Sequence, residues 1–424
     1  MPLPLRHPVR RPATLGTAVL TAVSAALMLL PAAPAQAAGD RVRTDRWVTA
    51  SDLKKGTLDG VRISGSALVL ASPRRTLTYT DPFGTKKKTT WSYGSWTSPW
   101  TGTGFGARTL VPSWSASMPN GTWIRVLARG RSGSTTGSWD TVATWAYGTA
   151  GVRRASGTAQ PDDLTSLATD TLKANGSRTF SHWQLRFDLV RAPKSTATPK
   201  VESVSAVAAS YSTRRAATSR TTMTKTQTLA VPGFSQMTHR GHHPEWGGGG
   251  EAWCSPTSVA MVLRYFGSGP KKGDYSWTKG ADGQVDHAAR YSYDYRYRGT
   301  GNWPFSTAYA GRYGLDSFVT RMVDLRDAEA FIKAGIPLVA SVAFKRGELT
   351  GAPISSTPGH LLIISGFTAD GRVVVNDPAA PSNGSVRRTY SRAQFERAWL
   401  GGSGGVVYVM RPGSKKLPAD TSRW

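Results

Sequence analysis

The stretch GGGGEAWCSPTSVAMVLRYFG, residues 247–267, contains the one cysteine of a 424-residue chain and joins a glycine run to a helical pattern. Val259, Val262, Leu263 and Phe266 recur at helical spacing, Pro256 suits a first turn, and Ser255 is placed to cap it. The spacing predicts a helix starting beside Cys254, with the thiol off the buried stripe. Unpaired amide N–H groups and the positive end of the helix dipole favour the thiolate there, which is the reactive form of cysteine. The preceding glycines permit close approach of the backbone, expected here to be toward a substrate. The competing reading of Cys254 is a buried structural thiol, a common state of free cysteine.

A cysteine nucleophile needs a base. Of seven histidines, His360 has the most informative context: TPGHLLIISGFTADGRVVVNDP reads as a β-hairpin with His360 at one open end and Asn376-Asp377-Pro378 at the other. A carboxylate or amide at that end can hold the imidazole in orientation. A two-residue turn at Asp370-Gly371 would pair Ile364 with Asp377 and put His360 on the face of Asp377, which favours Asp377 over Asn376 as the orienting residue. A bulge would reverse that parity.

Four blocks, VPGFSQM, WCSPTSVAMVLRYFG, GHLLIISGF and VVVNDPA, occur in the order of the papain-like cysteine peptidases. The chain from Thr228 to Pro412 resembles in particular the bacterial branch related to the peptidases that process double-glycine leaders. The resemblance implies Cys254 as nucleophile, His360 as general base, Asp377 as the residue orienting His360, and Gln236 with the Cys254 N–H as the oxyanion hole. It implies a peptide or protein substrate and no cofactor. The insertion THRGHHPEWGGGGEA between Gln236 and Cys254 is longer than the family pattern leads one to expect. No P-loop, nucleotide-binding domain or membrane span accompanies the blocks, so coupling to export is not implied.

Outward from this region, LAVPGF onward mixes helical segments (SPTSVAMVLRYF, DLRDAEAFIKAG) with later strands (IPLVASVAF, HLLIISGF, RVVVND, GGVVYVMR), an α+β order. Residues 229–412 are read as this α+β, papain-like domain, and 413–424 as a tail. Residues 211–228, rich in Ser, Thr and Arg, read as a linker with basic residues open to proteolysis. Residues 41–210 read as short strands between turns. In WQLRFDLV, Trp183, Leu185, Phe187 and Leu189 alternate with Gln184, Arg186 and Asp188, and in TWIRVLAR, Ile124, Val126 and Ala128 share a face. The expectation is an N-terminal all-β, jelly-roll-like sandwich, with PDDLTSLATDTL as its one helical candidate. Nine of the fifteen tryptophans lie in this half; Trp91, Trp96, Trp100 and Trp114 are expected to serve its core rather than a sugar site.

RHPVRR, an apolar run and PAQAA form a signal-peptide pattern over residues 1–37 with a cut near Ala37, so the mature chain is expected to be secreted, extracellular or wall-associated. A lone cysteine forms no internal disulfide, so stability rests on hydrophobic cores. The formal charge of +27 falls to +24 without Arg6, Arg10 and Arg11. Outside a cell such a field suits an anionic wall polymer rather than nucleic acid, although the basic residues are scattered and read first as a solvated surface. HRGHH offers His239, His242 and His243 near Glu245 and Cys254. The spacing matches no structural zinc pattern and a metal would compete for the thiolate, so no metal is expected and the run is read as an exposed, substrate-facing loop. YSYDYRYRGTGNWP, residues 291–304, suits either an aromatic cleft wall or an irregular packed loop.

Three functions follow: a secreted thiol hydrolase of peptide bonds acting through Cys254, His360 and Asp377; an inactive wall- or glycan-binding protein on the same fold; or acyl transfer to an amine. The order of blocks and VPGFSQ argue against the last.

Overall fold

The computed structural model describes residues 40–73, 75–148, 151–211, 217–419 and 423–424. The signal-peptide stretch and its cut near Ala37 lie outside the described residues. No helix among the described residues is long and apolar enough to cross a membrane.

Residues 41–210 fold as strands because their apolar residues alternate, and two antiparallel sheets result. In one, Lys200–Ser210 pairs with Thr109–Ser117, Ala67–Leu70 and Arg41–Trp47. In the other, Phe180–Arg191 lies between Thr122–Ser132 and Lys88–Thr97. Ile124, Val126, Ala128, Trp183, Leu185, Phe187 and Leu189 of the second sheet share a core with Leu110, Trp114, Val204 and Ala206 of the first. Trp96 and Trp114 are fully buried, whereas Trp91 and Trp100 keep some exposure.

One sequence expectation fails in this half. PDDLTSLATDTL is a hairpin, Thr165–Ala168 paired with Thr171–Ala174, because its threonines and leucines alternate around a turn at Thr169 and Asp170. Asp188, on the face opposite Trp183, is buried with Ser95, Arg125 and Arg186 hydrogen-bonded to its carboxylate, so this strand is covered on both faces.

The second domain is a mixed α/β unit. Its seven-stranded sheet runs Asp316–Arg321, Val406–Arg411, Leu338–Phe344, Thr357–Phe367, Val373–Asn376, Arg387–Tyr390, with Gln227–Thr228 also on Thr357–Phe367. The Cys254–Tyr265 helix packs on the Thr357–Phe367 strand. This helix is buried along nearly its whole circumference from Ser255 to Leu263, more than its apolar stripe predicts, because small Ser, Thr and Ala residues let it pack closely on several sides.

The stretch read as a linker is not free over its described part. The Ser219 N–H and hydroxyl bond Glu396 (2.8 and 2.6 Å), Thr221 and Thr222 bond Glu329, and Met223 is buried. Serine and threonine hydroxyls there pair with buried carboxylates, a role that composition does not separate from solvation. The two domains also share packing. Phe305 and Ala308 of the Trp303–Gly311 helix enter the sandwich core, and Val42, Val111, Val207 and Ala209 of the sandwich enter the second core.

Candidate active site

The Cys254–Tyr265 helix brings the thiol to its first residue, with Trp253 as N-cap and no side-chain cap. Ser255, predicted to cap, instead turns its hydroxyl inward to Ser306 (2.9 Å) and Tyr408 (3.1 Å). The N–H of Ser255 in the helix and the N–H of Leu361 on the Thr357–Phe367 strand lower the thiol's pKa. Burial works the other way and raises it, but the hydrogen bond and charge of His360 outweigh burial, and the net shift is downward. Cys254 keeps partial exposure, as a nucleophile must.

His360 is buried at the start of the Thr357–Phe367 strand. Its Nε2 lies 2.8 Å from Asp377 Oδ1. Burial disfavours the imidazolium, yet the charge and hydrogen bond of Asp377, and then those of Cys254, overcome it and raise His360 to about 10. Asp377 is buried too, and burial alone would raise it; His360, the Tyr390 hydroxyl (2.8 Å to Oδ2) and the Ala379 N–H (3.1 Å to Oδ1) bring it down instead. Asp377 and His360 are therefore joined by a charge-assisted hydrogen bond, and His360 and Cys254 each favour the charged form of the other.

The hairpin reaches this arrangement by a different register from the predicted one. Thr368 and Arg372 close a three-residue turn over Ala369, Asp370 and Gly371, and the Thr368 N–H donates to the Arg372 carbonyl (3.0 Å). Gly371 has φ +83°, which only glycine adopts without strain. Ile364 pairs with Val375 rather than Asp377, and a register shift falls between Ile364 and Gly366. The longer turn moves the parity by one residue and the bulge moves it back, so His360 and Asp377 still share a face.

Asn376 points elsewhere. Its amide nitrogen donates to the Val231 (3.1 Å) and Pro232 (3.2 Å) carbonyls. The loop after it clamps the same segment: Pro378 O accepts the Gln236 N–H (2.9 Å), Asn383 Oδ1 accepts the Ser235 N–H (2.7 Å), and Ala380 O accepts the Ser235 hydroxyl. Gln236 is thereby fixed beside the turn that enters the Cys254 helix, and its side-chain nitrogen donates to the Glu251 carbonyl while its Oε1, also buried, has no partner among the described residues. Tyr390, which sequence reasoning missed, sits thirteen residues beyond Asp377 on the neighbouring strand; only the pairing of Val373 with Tyr390 would have exposed it.

The glycines before Cys254 serve the chain itself rather than a substrate. Gly249 has φ +98°, and a Cβ on Gly250 would lie 1.8 Å from the His239 carbonyl oxygen. The HRGHH run is likewise not an exposed loop throughout. His239 is fully buried and His242 is half-buried facing Asp286, while Arg240 and Gly241 are exposed and His243 stacks on Trp246 and pairs with Glu245. Burial of His239 follows from Gly250 and Trp253 packing against it.

In the 291–304 loop the packed reading holds at Asp294. Asp294 is a buried hub that accepts from Ser156, Arg296, Tyr297 and Asn302. Tyr297 is 51% exposed, and the Cys254 charge, after burial and Asp170, is among the influences that raise its phenol.

Comparison with known families gives two matches. Residues 43–209 match the Peptidase C39 N-terminal domain, and residues 228–405 match the Peptidase_C39 like family. No curated protein matches the chain.

Proposed function

We propose, for a chain that belongs to the C39-type papain-like peptidases and carries their N-terminal domain, that it is an active cysteine peptidase using Cys254, His360 and Asp377. The observation that carries the reading is a partly exposed thiol at a helix start whose ionisation His360 favours, with His360 hydrogen-bonded in turn to a buried Asp377. The Cys254 thiolate attacks the substrate carbonyl carbon. The carbonyl oxygen takes the negative charge, held by the Cys254 N–H and the Gln236 amide once the latter releases the Glu251 carbonyl. His360 gives its proton to the leaving amine, and water, deprotonated by His360, then hydrolyses the thioester. Asp377 keeps the ring oriented and the imidazolium charged, with Tyr390 holding its second oxygen.

The proposed substrate is a peptide reached outside the cell, with residues 1–37 serving as the export signal. The basic charge of +24 left without Arg6, Arg10 and Arg11 supports a wall-associated setting with an anionic polymer as partner. The test is the pH dependence of iodoacetamide alkylation at Cys254, run beside His360→Ala. Alkylation well below the free-cysteine value of about 8.5, lost in the variant, is expected. Slow alkylation indifferent to the substitution would leave the inactive binding protein as the better account.

A further inference from the structure

The loop between Gln236 and Cys254 converges on a second polar centre, distinct from the thiol. His239 and Asp286 are fully buried, and the His242 side chain is 26% exposed. Nδ1 of His242 lies 2.8 Å from Asp286 Oδ1 in a hydrogen bond. Nδ1 of His239 lies 2.8 Å from Oδ2 of the same carboxylate, but the two atoms are not aligned as donor and acceptor, and neither has another hydrogen-bond partner among the described residues. Nε2 of His239 has none either. Buried polar atoms are nearly always paired, and orphaned ones are costly. Two such atoms in contact without facing each other are arranged as ligands around a shared third atom. One donor atom from each of His239, His242 and Asp286 lies within 4.8 Å of the others, and Cys254 is not part of the group.

We propose that His239 Nδ1, His242 Nδ1 and the Asp286 carboxylate bind a divalent ion of the zinc class, with solvent completing the coordination on the exposed side of His242. Two imidazoles and one carboxylate are a donor set that suits zinc, and three protein ligands leave a fourth tetrahedral position. The sequence argued against zinc because HRGHH alone has no suitable spacing; the missing ligand is Asp286, 44 residues further on in the Gln284–Ser292 helix. The ion ties the insertion to that helix. Because Gly250 presses on His239, it also braces the turn whose Glu251 carbonyl meets Gln236 and which runs into Cys254.

The probes are Zn²⁺ and Co²⁺ on the intact chain and on Cys254→Ala, since a thiolate beside an imidazole is itself a metal trap. After chelation and dialysis against micromolar Zn²⁺, both are expected to retain about one ion per chain by atomic emission. Co²⁺ is expected to give visible ligand-field bands without a thiolate charge-transfer band. His242→Ala weakens binding by about tenfold or more, with unchanged circular dichroism, while the neighbouring His243→Ala binds as the parent does. Asp286→Asn repeats the loss should His242→Ala fold poorly. The proposal is overturned if the intact chain retains neither metal, if Cys254→Ala abolishes binding, or if a folded His242→Ala or Asp286→Asn binds as tightly as the parent.

Discussion

At the residue scale, a single oxygen tests how the charge chain is held. Tyr390→Phe removes the donor to Asp377 Oδ2 and leaves that oxygen buried. A hydrogen bond to a charged group contributes roughly 1.5–3 kcal/mol, so kcat/KM on a peptide substrate is expected to fall about tenfold, with the alkylation midpoint of Cys254 moving up. An unchanged midpoint would remove Tyr390 from the charge chain. The pH profile follows from the directions of the shifts. Cys254 ionises below its ordinary value, so the thiolate–imidazolium pair exists on the acid side of pH 8.5; the pair is lost at the alkaline end as His360 gives up its proton near 10. Stability carries the same sign for His360: its contribution is complete below the unfolded value of about 6.5 and disappears as pH rises through about 10. Activity should therefore hold across neutral pH and fall toward pH 10, as initial rates would record. Cys254 and His360 were legible as candidates because each sits at the end of a periodic segment. Tyr390 and Asp286 were not, because each reaches its partner through pairing or packing that no local pattern encodes.

At the scale of the element, the loop after the Val373–Asn376 strand does two jobs, and two adjacent residues separate them. Asp377 meets His360, while Asn376 holds the Val231 and Pro232 carbonyls ahead of Gln236. Asn376→Ala is expected to cost about 1–3 kcal/mol of stability by leaving buried carbonyls unpaired, and to lower kcat through Gln236, with the pH midpoint of alkylation unmoved. Asp377→Ala moves that midpoint upward. Denaturant melts and alkylation on the same pair of variants distinguish the two roles, and a shifted midpoint in Asn376→Ala would contradict the division. The hairpin also shows what sequence can and cannot fix. Its two strands are plain in HLLIISGF and RVVVND, yet the turn closes over three residues and a bulge compensates. Parity survived because His360 and Asp377 must both face the Cys254 helix, and either change alone would turn one of them away. The hairpin at residues 165–174 erred in the other direction: ten residues of mixed polarity carry too few apolar positions for periodicity to separate helix from strand.

At the scale of the whole molecule, composition predicted two domains but not their union. Phe305, fully buried, stands against Trp114 and Trp145 of the sandwich, with ring centroids 6.2 and 4.9 Å away. The Trp303 N–H bonds Asp170 of the sandwich (2.9 Å), and the Ser156 N–H bonds the Asp294 hub (3.1 Å) that holds the loop carrying Tyr297. The N-terminal domain thus supports the loop carrying Tyr297 as well as covering an apolar helix face. A hydrophobic pattern read along one chain segment marks Phe305 as buried but does not say in whose core, and for that reason the junction was invisible in the sequence. Phe305→Ala opens a cavity among tryptophans and is expected to cost roughly 3–5 kcal/mol. Because the side chain belongs to both domains, the loss should lower a single calorimetric transition rather than split it. Expression of residues 217–424 alone should yield an aggregating product, since Phe305, Ala308 and the residues packed on Val111 and Val207 would be left facing water. A soluble fragment with full alkylation kinetics at Cys254, or two separate transitions in the intact chain, would show instead that the peptidase domain stands by itself and that the shared core is dispensable.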